Sequence, residues 1–408
     1  MTRSVVRYDT SVTSKDPQQQ RKSDLVAAAI TRARIATIDD NSAILELLAD
    51  VPMQGNLALA TRRDPDFFAL YELQRGRNVL WVDDAADGRL AGMGGILVRD
   101  GFLDDKAVPV GYLGDLRTRG FVRERLAFPH VYAHLFHRAV QDTGCEHYLT
   151  AILADNAAAA KALTSLSASS SSSSSKKKRR PQPHYHLLTA FHMVNVHFLR
   201  KRTVKPTPGL SVRRAVVDDL PAITALLAAD HAKRPFGWRF DDGEFEHRLA
   251  QWPGFTLNDT FLVHDDNGVL RGVCTCWDAS PVKRYRVLRY GGQMLWVKRG
   301  LSLLSSLTGT APLPAVGHDF RYFYLSNLSI VNDDPRVFQA LVDAVYAAHA
   351  DCGFHFFAFP LYPNDPLAAG TRGYFVRRVP FHLHAVTSSS RRRSDWPAGR
   401  PGFEMALA

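Results

Sequence analysis

Cysteine is scarce in this sequence, with only four among 408 residues. Cys145, Cys274, Cys276 and Cys352 are too few and too scattered for a disulfide framework or for a structural zinc site built from paired Cys-x-x-Cys ligands. We therefore expect reduced thiols and a cytoplasmic protein. Long apolar runs are also missing. None approaches the roughly 20 residues that cross a bilayer, and the first residues contain no hydrophobic signal segment, so we expect no membrane partner.

Acidic residues are outnumbered, with 40 Asp and Glu against 51 Lys and Arg and a formal net charge of +11. A basic excess of this size can indicate a polyanionic partner. Here eight of the positive charges lie in two tracts, residues 176–180 (KKKRR) and 391–393 (RRR), which leaves +3 for the rest. Because the excess is confined to low-complexity tracts, the sequence indicates no specific nucleic-acid partner.

The chain contains an internal repeat. Residues 34–49 (RIATIDDNSAILELLA) and residues 213–228 (RRAVVDDLPAITALLA) are identical at nine of sixteen positions. Each copy is typical of a short strand, an Asp-Asp helix start and a helix with apolar residues at helical spacing. Asp-Gly at 87–88 and Asn-Gly at 267–268 then predict a hairpin turn in each copy. The repeat predicts two homologous α/β units.

Composition sets the limits of these units. The polar start is predicted to be disordered, a Pro-rich segment is the natural linker, and a Ser- and Lys/Arg-rich tract cannot bury apolar surface and is predicted to be a disordered loop. The predicted parts are residues 1–30 (disordered start), 31–202 (first unit, with the disordered loop at 165–182), 203–210 (linker) and 211–408 (second unit).

Two segments of the first unit carry a further pattern, residues 112–125 (YLGDLRTRGFVRER) and residues 148–160 (YLTAILADNAAAA). They look like the cofactor-binding strand, loop and helix and the following helix of the GNAT superfamily of N-acetyltransferases, which the order of elements also resembles. The resemblance implies an α/β fold with a mixed (α+β) sheet in two tandem GNAT-like domains. It also implies an N-acetyltransferase that uses acetyl-coenzyme A as co-substrate and acetylates a primary amine of a small molecule or peptide.

The resemblance also assigns residues to the donor. In the family the amine attacks the thioester directly, so strand amides polarise its carbonyl and a loop entering a helix holds the pyrophosphate. This loop has one glycine where the family pattern has more, and the alternative interpretation is a basic surface loop. The implied cofactor-binding residues are Leu116, Arg117 and Thr118 on the strand, Arg119, Gly120, Arg123 and Arg125 in the loop and helix, and Asn156 at the next helix.

An alkylammonium is mostly charged at neutral pH, so a base usually assists its attack. Asp115 on the presumed cofactor strand is the first candidate and Glu124 the second. Asp115 lies near arginines, and a structural ion pair is an equally open interpretation. The family often has a tyrosine as acid at the position of Leu163. Either Tyr132 or Tyr185 serves here, or the thiolate leaves unaided, or the site is inactive.

The second unit does not look like a cofactor site. Its corresponding strand, residues 322–331 (YFYLSNLSIV), is followed by Asp333, Asp334 and Pro335, which predict a capped helix start in place of a phosphate loop. Residues 364–366 (NDP) predict another helix start. We expect a degenerate copy that shapes the substrate cleft. The alternative for the whole chain is a catalytically silent tandem fold that binds a ligand or a partner.

Two further patterns have ordinary interpretations. His130, His134 and His137 share one helix face at metal-ligand spacing, but partly exposed helix histidines are the expected case, and we predict no metal. About thirty extra residues lie near 282–318 in the second unit. Within them, residues 293–307 (QMLWVKRGLSLLSSL) form an apolar segment, which we expect to be buried against the sheet. The alternatives are a cover over a substrate pocket, a homodimer contact or contact with a membrane surface.

Overall fold

The computed structural model describes residues 17–119, 122–156, 159–160, 163, 183–203, 206–309, 311–388, 396–397 and 399–408. The predicted disordered loop at 165–182 and Gly120 lie outside the described residues. For residues 122–129 only the backbone is described, so the side chains of Arg123, Glu124 and Arg125 lie outside the described part of the structure.

The first half runs from α1 to β7. Its elements are α1 Pro17–Arg32, β1 Ala33–Ile35, α2 Asn41–Asp50, β2 Leu57–Arg62, α3 Ala69–Glu72, β3 Arg77–Asp84, β4 Leu90–Leu103, β5 Lys106–Thr118, α4 Val122–Thr143, β6 His147–Leu153 and β7 His184–His197. The expectation of disorder over residues 1–30 is wrong for α1, which is helical and packs against α4. Polar composition misled here because tertiary contact with another helix can stabilise a helix that would be marginal alone.

The second half repeats this order with an insertion. Its elements are β8 Leu210–Arg214, α5 Leu220–His231, β9 Gly237–Trp238, α6 Glu244–Gln251, β10 Thr260–Asp265, β11 Leu270–Trp277, β12 Arg284–Tyr290, α7 Gln293–Thr308, β13 Tyr322–Ile330, α8 Pro335–His349, β14 Phe356–Leu361 and β15 Val376–Thr387.

The internal repeat has a physical basis in one ion pair. Arg34 and Asp40 lie 2.7 Å apart in the first half, and their counterparts Arg213 and Asp219 lie 2.6 Å apart in the second. In each half the same aspartate also accepts a hydrogen bond from the backbone N–H three residues earlier, which closes the turn that leads into the helix. The hydrogen bond from its arginine lowers the pKa of each aspartate to about 2. The predicted Asp-Asp helix starts are therefore confirmed.

All the strands given above except β2 and β12 form one mixed sheet that continues through both halves. Its order is β1-β3-β4-β5-β6-β15-β7-β14-β13-β11-β10-β8, with β9 paired to β4. The predicted hairpins β3–β4 and β10–β11 are present. The β5–β6 and β13–β14 pairs are parallel, and every other strand pair of this sheet is antiparallel in the described part of the chain. The predicted mixed α/β fold is confirmed.

The two halves exchange their last strands. β15, at the end of the second half, lies between β6 and β7 and pairs with both. β7, at the end of the first half, lies between β15 and β14 and so joins the sheet of the second half. Each half is completed by a strand from the other, and the two cannot separate without breaking both ladders.

The insertion in the second half also contacts the first half. β12 pairs with β2 in a separate two-stranded ribbon. Helix α7 follows, and contrary to expectation one of its faces is exposed. Trp296, Leu303 and Leu307 are 70%, 68% and 78% exposed, whereas Met294 is buried. The helical spacing of apolar residues predicted the helix. Because its apolar residues lie on more than one face, a single neighbouring element cannot bury all of them.

Candidate active site

A β-bulge marks the centre of strand β5. The β4–β5 register shifts between Met93 and Gly95, and Asp115 opposite has a φ of 52°, a left-handed conformation that aspartate tolerates better than most residues. The parallel pairing of β5 with β6 is confined to Gly111 and Tyr112. Beyond Tyr112 the two strands separate, and the described residues of β5 make no further ladder contacts with β6.

The second half has the same bulge at the same place. The β11–β13 register shifts between Val273 and Thr275, and Asn327 has a φ of 54°. The parallel pairing of β13 with β14 ends at Tyr324. Residues 112–116 (YLGDL) and 324–328 (YLSNL) align at this point, a match that was not used in the sequence analysis and that could have placed both bulges. Asp115 and Asn327 are thus structural counterparts.

Asp115 is held by two residues that the sequence analysis missed. Arg63 donates hydrogen bonds to both of its carboxylate oxygens, at 2.8 and 3.0 Å, and the Tyr71 hydroxyl donates a third at 2.8 Å. Burial acts to raise the pKa of Asp115, but the charges of Arg63 and Arg117 and these hydrogen bonds outweigh it, so the pKa lies below its ordinary value. These contacts favour the structural ion pair over a free base.

The position of Arg63 depends on the second half of the chain. Arg63 follows the last residue of β2, which is paired in the ribbon with β12. Beside it, Arg284 of β12 donates to the Asp64 carboxylate at 2.7 Å. The Arg63 side chain is only 3% exposed and lies over the Phe67 ring. Pairing in the ribbon therefore positions Arg63, whose guanidinium holds Asp115 at the bulge of β5.

Lys283 is a second buried cation in this region. It immediately precedes β12, is 1% exposed and donates hydrogen bonds to main-chain oxygens of Met405, at 3.4 Å, and Ala408, at 2.6 Å. Burial, reinforced by the positive charge of Arg63, lowers the pKa of Lys283 to about 7. No pattern in the sequence marks Lys283, because its burial arises from the packing of the two halves.

The predicted donor-binding residues of β5 lie where the strands separate. Leu116 packs with Ile152 and Leu163, and Arg117 donates to the Leu116 carbonyl at 3.0 Å. Thr118 is paired with Gly92 of β4.

Arg119 is bound to helix α2 and to strand β4. Its guanidinium lies 2.7 Å from Asp50 and 3.1 Å from Glu46, both on α2, and donates to the Leu90 carbonyl at 2.6 Å. Its backbone N–H donates to Ala91. The side chain and the amide are both engaged within the fold and anchor α2 to the sheet, and the role of Arg119 toward the donor stays a prediction. Sequence spacing could not show this, because α2 lies about seventy residues earlier in the chain.

Helix starts differ between the halves. In the first half α4 begins at Val122, four residues after β5 ends. In the second half the corresponding helix α8 is capped by its own side chain, since Asp334 accepts a hydrogen bond from the Arg336 backbone N–H at 2.8 Å. The predicted caps at Asp334 and Asp365 are confirmed. Asn156 caps a turn as well, accepting from the Ala159 N–H at 3.1 Å.

The two tyrosines proposed to replace the family acid meet each other. The hydroxyls of Tyr132 on α4 and Tyr185 on β7 lie 2.5 Å apart. Both rings pack in the cluster that contains Leu163, the position where the family has its tyrosine. Burial raises the pKa of Tyr132 to about 12 and that of Tyr185 well above its ordinary value. Both hydroxyls are therefore neutral hydrogen-bond donors at neutral pH.

The described residues contain no group of three or more His, Cys, Asp or Glu side chains placed to hold a metal ion. Within the same residues, no helix combines the length and the apolar character that spanning a membrane would require.

Gly95 is required for the contact between Tyr71 and Asp115. A Cβ atom at Gly95 would lie 2.0 Å from the Tyr71 hydroxyl, whereas one at Gly94 would meet only the Leu116 side chain at 3.8 Å. We expect Gly95→Ala to lower the free energy of unfolding by about 1–3 kcal/mol, measured by urea denaturation, and Gly94→Ala to change it by less than about 0.5 kcal/mol. Equal effects of the two substitutions would show that Tyr71 has room to move without cost.

Comparison with known proteins gives structural matches only. No family model matches the sequence, and no curated protein matches it. A GCN5-related N-acetyltransferase from Sphaerobacter thermophilus is 12% identical with a TM-score of 0.52, over 92% of this chain and 97% of that one. The Saccharomyces cerevisiae N-myristoyltransferase with bound myristoyl-CoA is 11% identical with a TM-score of 0.53, over 87% of this chain and 82% of that one.

A third match is a region of a larger protein. The GCN5-related glucosamine N-acetyltransferase region of a fungal multi-domain β-N-acetylglucosaminidase is 11% identical with a TM-score of 0.53. The match covers 86% of this chain and 38% of that one. The bulged and separating central strands, repeated in both halves, and these three matches lead to one conclusion: the chain has the GNAT fold, as its resemblance implied, and its structural neighbours include N-acetyltransferases and an N-myristoyltransferase.

Proposed function

We propose that the protein is an acyl-coenzyme A-dependent N-acyltransferase whose first half binds the donor. Acetyl-coenzyme A is the expected donor, and the acceptor is a primary amine of a small molecule or peptide that attacks the thioester directly. The observation that carries the proposal is the separation of β5 from β6 beyond Tyr112, immediately before helix α4. We infer that this strand edge and the helix start face the same gap.

The chemistry of the donor matches these two features. Backbone N–H groups on an unpaired strand edge can polarise a thioester carbonyl, and the N-terminus of a helix attracts a pyrophosphate. Leu116, Arg117 and Thr118 would supply the edge, and Arg123 and Arg125 lie in the first turn of α4. In the second half Asp334 occupies the helix start, which supports placing the donor in the first half.

Proton transfer has three candidate acceptors. Asp115 is an ion-paired carboxylate with a lowered pKa, which makes it a weak base, and we assign it the task of holding the bulge. Burial lowers the pKa of Lys283 to about 7, so more of it is neutral than of an ordinary lysine, and it is the stronger candidate on that ground. Glu124 remains a proposal from the sequence. Tyr132, paired with Tyr185, would donate a hydrogen bond to the departing thiolate.

Thermal unfolding with acetyl-coenzyme A tests the proposal. A ligand at 100 times its dissociation constant stabilises a protein by about 2.7 kcal/mol, which corresponds to a rise in Tm of roughly 2–4 °C for a domain of this size. We expect a saturable rise for the unaltered chain, none for Arg123→Glu, and an unchanged rise for Arg138→Glu. Arg138 lies on the same helix, 57% exposed and far from its start, and is the matched control.

The outcomes separate the two classes of function. A rise abolished only by Arg123→Glu supports a donor site at the start of α4 and justifies a screen of amines. The same titration with longer acyl-coenzyme A thioesters then ranks the donors. No rise at millimolar acetyl-coenzyme A and longer donors would overturn the proposal and favour the silent, ligand-binding alternative.

A further inference from the structure

A cavity lies in the second half at the place where its central strands separate. Asn327 of β13, Pro360 of β14 and Tyr362 line it, beyond the last paired residues of the two strands. Trp238, Arg248, Arg400 and Glu404 line it as well. This is the counterpart of the gap beside Asp115, although the helix start next to it is capped by its own aspartate.

Three side chains that line this cavity have buried donors without a hydrogen-bond partner among the described residues. They are the indole Nε1 of Trp238, Nη2 of Arg248 and the hydroxyl of Tyr362. Buried polar atoms in folded proteins are nearly always hydrogen-bonded, so three unpaired donors around one cavity call for an acceptor that occupies it. All three atoms need the same kind of partner, an oxygen with free lone pairs.

Arg248 is held so that Nη2 of its guanidinium has no hydrogen-bond partner among the described residues. Its Nε donates to Glu244 at 2.9 Å, and its Nη1 donates to Asn327 Oδ1 at 2.6 Å and to Glu404 at 3.4 Å. The rings of Trp238, Phe240 and Trp252 enclose the guanidinium. The side chain is 1% exposed, so it cannot turn toward solvent to satisfy Nη2. Hydrogen bonds at Nε and Nη1 and the three rings therefore hold the guanidinium in place.

The lining of the cavity is rich in arginine donors. Arg234, Arg248 and Arg400 all line it, whereas Glu404 is the one carboxylate among its lining residues in the described part of the chain. The acids that pair with Arg234 and Arg400 lie outside the lining. Glu404 itself accepts hydrogen bonds from Ser326 and Arg248. A planar carboxylate suits this set, because its two oxygens can accept from a guanidinium, a hydroxyl and an indole together.

We propose that this cavity binds a small monocarboxylate, of the size of acetate or glycine, through Arg248, Tyr362 and Trp238. The site is separate from the donor site and does not depend on acyl transfer. Aromatic rings on its walls limit the size of the ligand, and the arginines select its charge. The second half then contributes a ligand site of its own besides completing the sheet.

Isothermal titration calorimetry with sodium acetate and with glycine tests the site, with sodium chloride at equal ionic strength as the blank. We expect saturable binding to the unaltered chain, weakened about tenfold in Tyr362→Phe. This substitution removes a hydroxyl that has no partner, so the Tm of the variant should not fall. The matched control is Tyr290→Phe, which removes a buried hydroxyl bonded to the Pro314 carbonyl at 2.9 Å. It should lower the Tm and leave the affinity unchanged.

Arg123→Glu separates this site from the donor site, because acetate binding at Arg248 should survive that substitution. Three results would overturn the proposal. They are no heat from acetate or glycine up to about 20 mM, far above a millimolar dissociation constant, equal affinity in Tyr362→Phe and the unaltered chain, or loss of binding in Arg123→Glu.

Discussion

Asp115→Asn is expected to lower the free energy of unfolding by about 3–5 kcal/mol, because it leaves the buried guanidinium of Arg63 without a counter-charge. Asparagine is the right replacement since it tolerates the left-handed φ at this position and is the residue that stands at the equivalent bulge, Asn327. Any loss of stability then reports the charge and not backbone strain. Urea unfolding followed by circular dichroism measures it.

Asp351→Asn is the matched control for this change. Asp351 pairs with Lys201 at 2.7 Å, but the two side chains are 59% and 73% exposed, and exposed pairs contribute about 0–1 kcal/mol. If Asp115→Asn were as mild as Asp351→Asn, the ion pair with Arg63 would not hold the bulge. Asp115 would then again be the first candidate for the base.

Lys283→Met is expected to increase stability at mildly acidic pH and to flatten its dependence on pH. The folded-state pKa of about 7 lies below the ordinary value of 10.5, so between these limits the unfolded chain binds more protons than the folded one. Stability of the unaltered chain therefore rises with pH across this window, by up to about 1.4 kcal/mol per pH unit. Below pH 7 the full cost of burying the charged lysine is present, and methionine removes it.

The measurement is urea unfolding of both chains from about pH 6 to about pH 9.5. The variant should be more stable at the acidic end by about 2–4 kcal/mol, after the loss of two hydrogen bonds is subtracted, and the difference should shrink as pH rises. Lys201→Met is the control, because Lys201 is 73% exposed and its difference should stay constant. Parallel curves for Lys283→Met and the unaltered chain would show that Lys283 titrates at its ordinary pKa.

Local signals predicted the elements well. The Asp-Asp starts, the two Asn/Asp-Gly hairpins and the Asp334 cap are interactions within a few residues, so the pattern that predicts them also contains both partners. The repeat predicted two similar halves because each copy contains the same local signals. Where local composition failed, at α1, the missing information was a contact with α4, a helix a hundred residues away.

The partners of Asp115 and Lys283 could not be predicted in this way. Arg63 and Asp115 are separated by 52 residues, and the strand that positions Arg63 comes from an insertion in the other half. No periodicity in either segment refers to the other. A buried arginine or lysine also looks the same in sequence as an exposed one, so the shifted pKa values appear only once the packing is known.

By itself the sequence determined most strands and helices and the Asp-Asp and Asp334 helix starts, because these depend on neighbours along the chain, and the match of YLGDL with YLSNL contained the signal for the repeated bulge. The tertiary structure alone decided that β7 and β15 each join the sheet of the other half, that the β2–β12 ribbon positions Arg63 beside Asp115, and that three donors with no partner among the described residues belong to side chains lining one cavity. The physical reason is that a ladder or a buried ion pair depends on which surfaces meet in space, and segments far apart in the chain meet only when the whole core is formed.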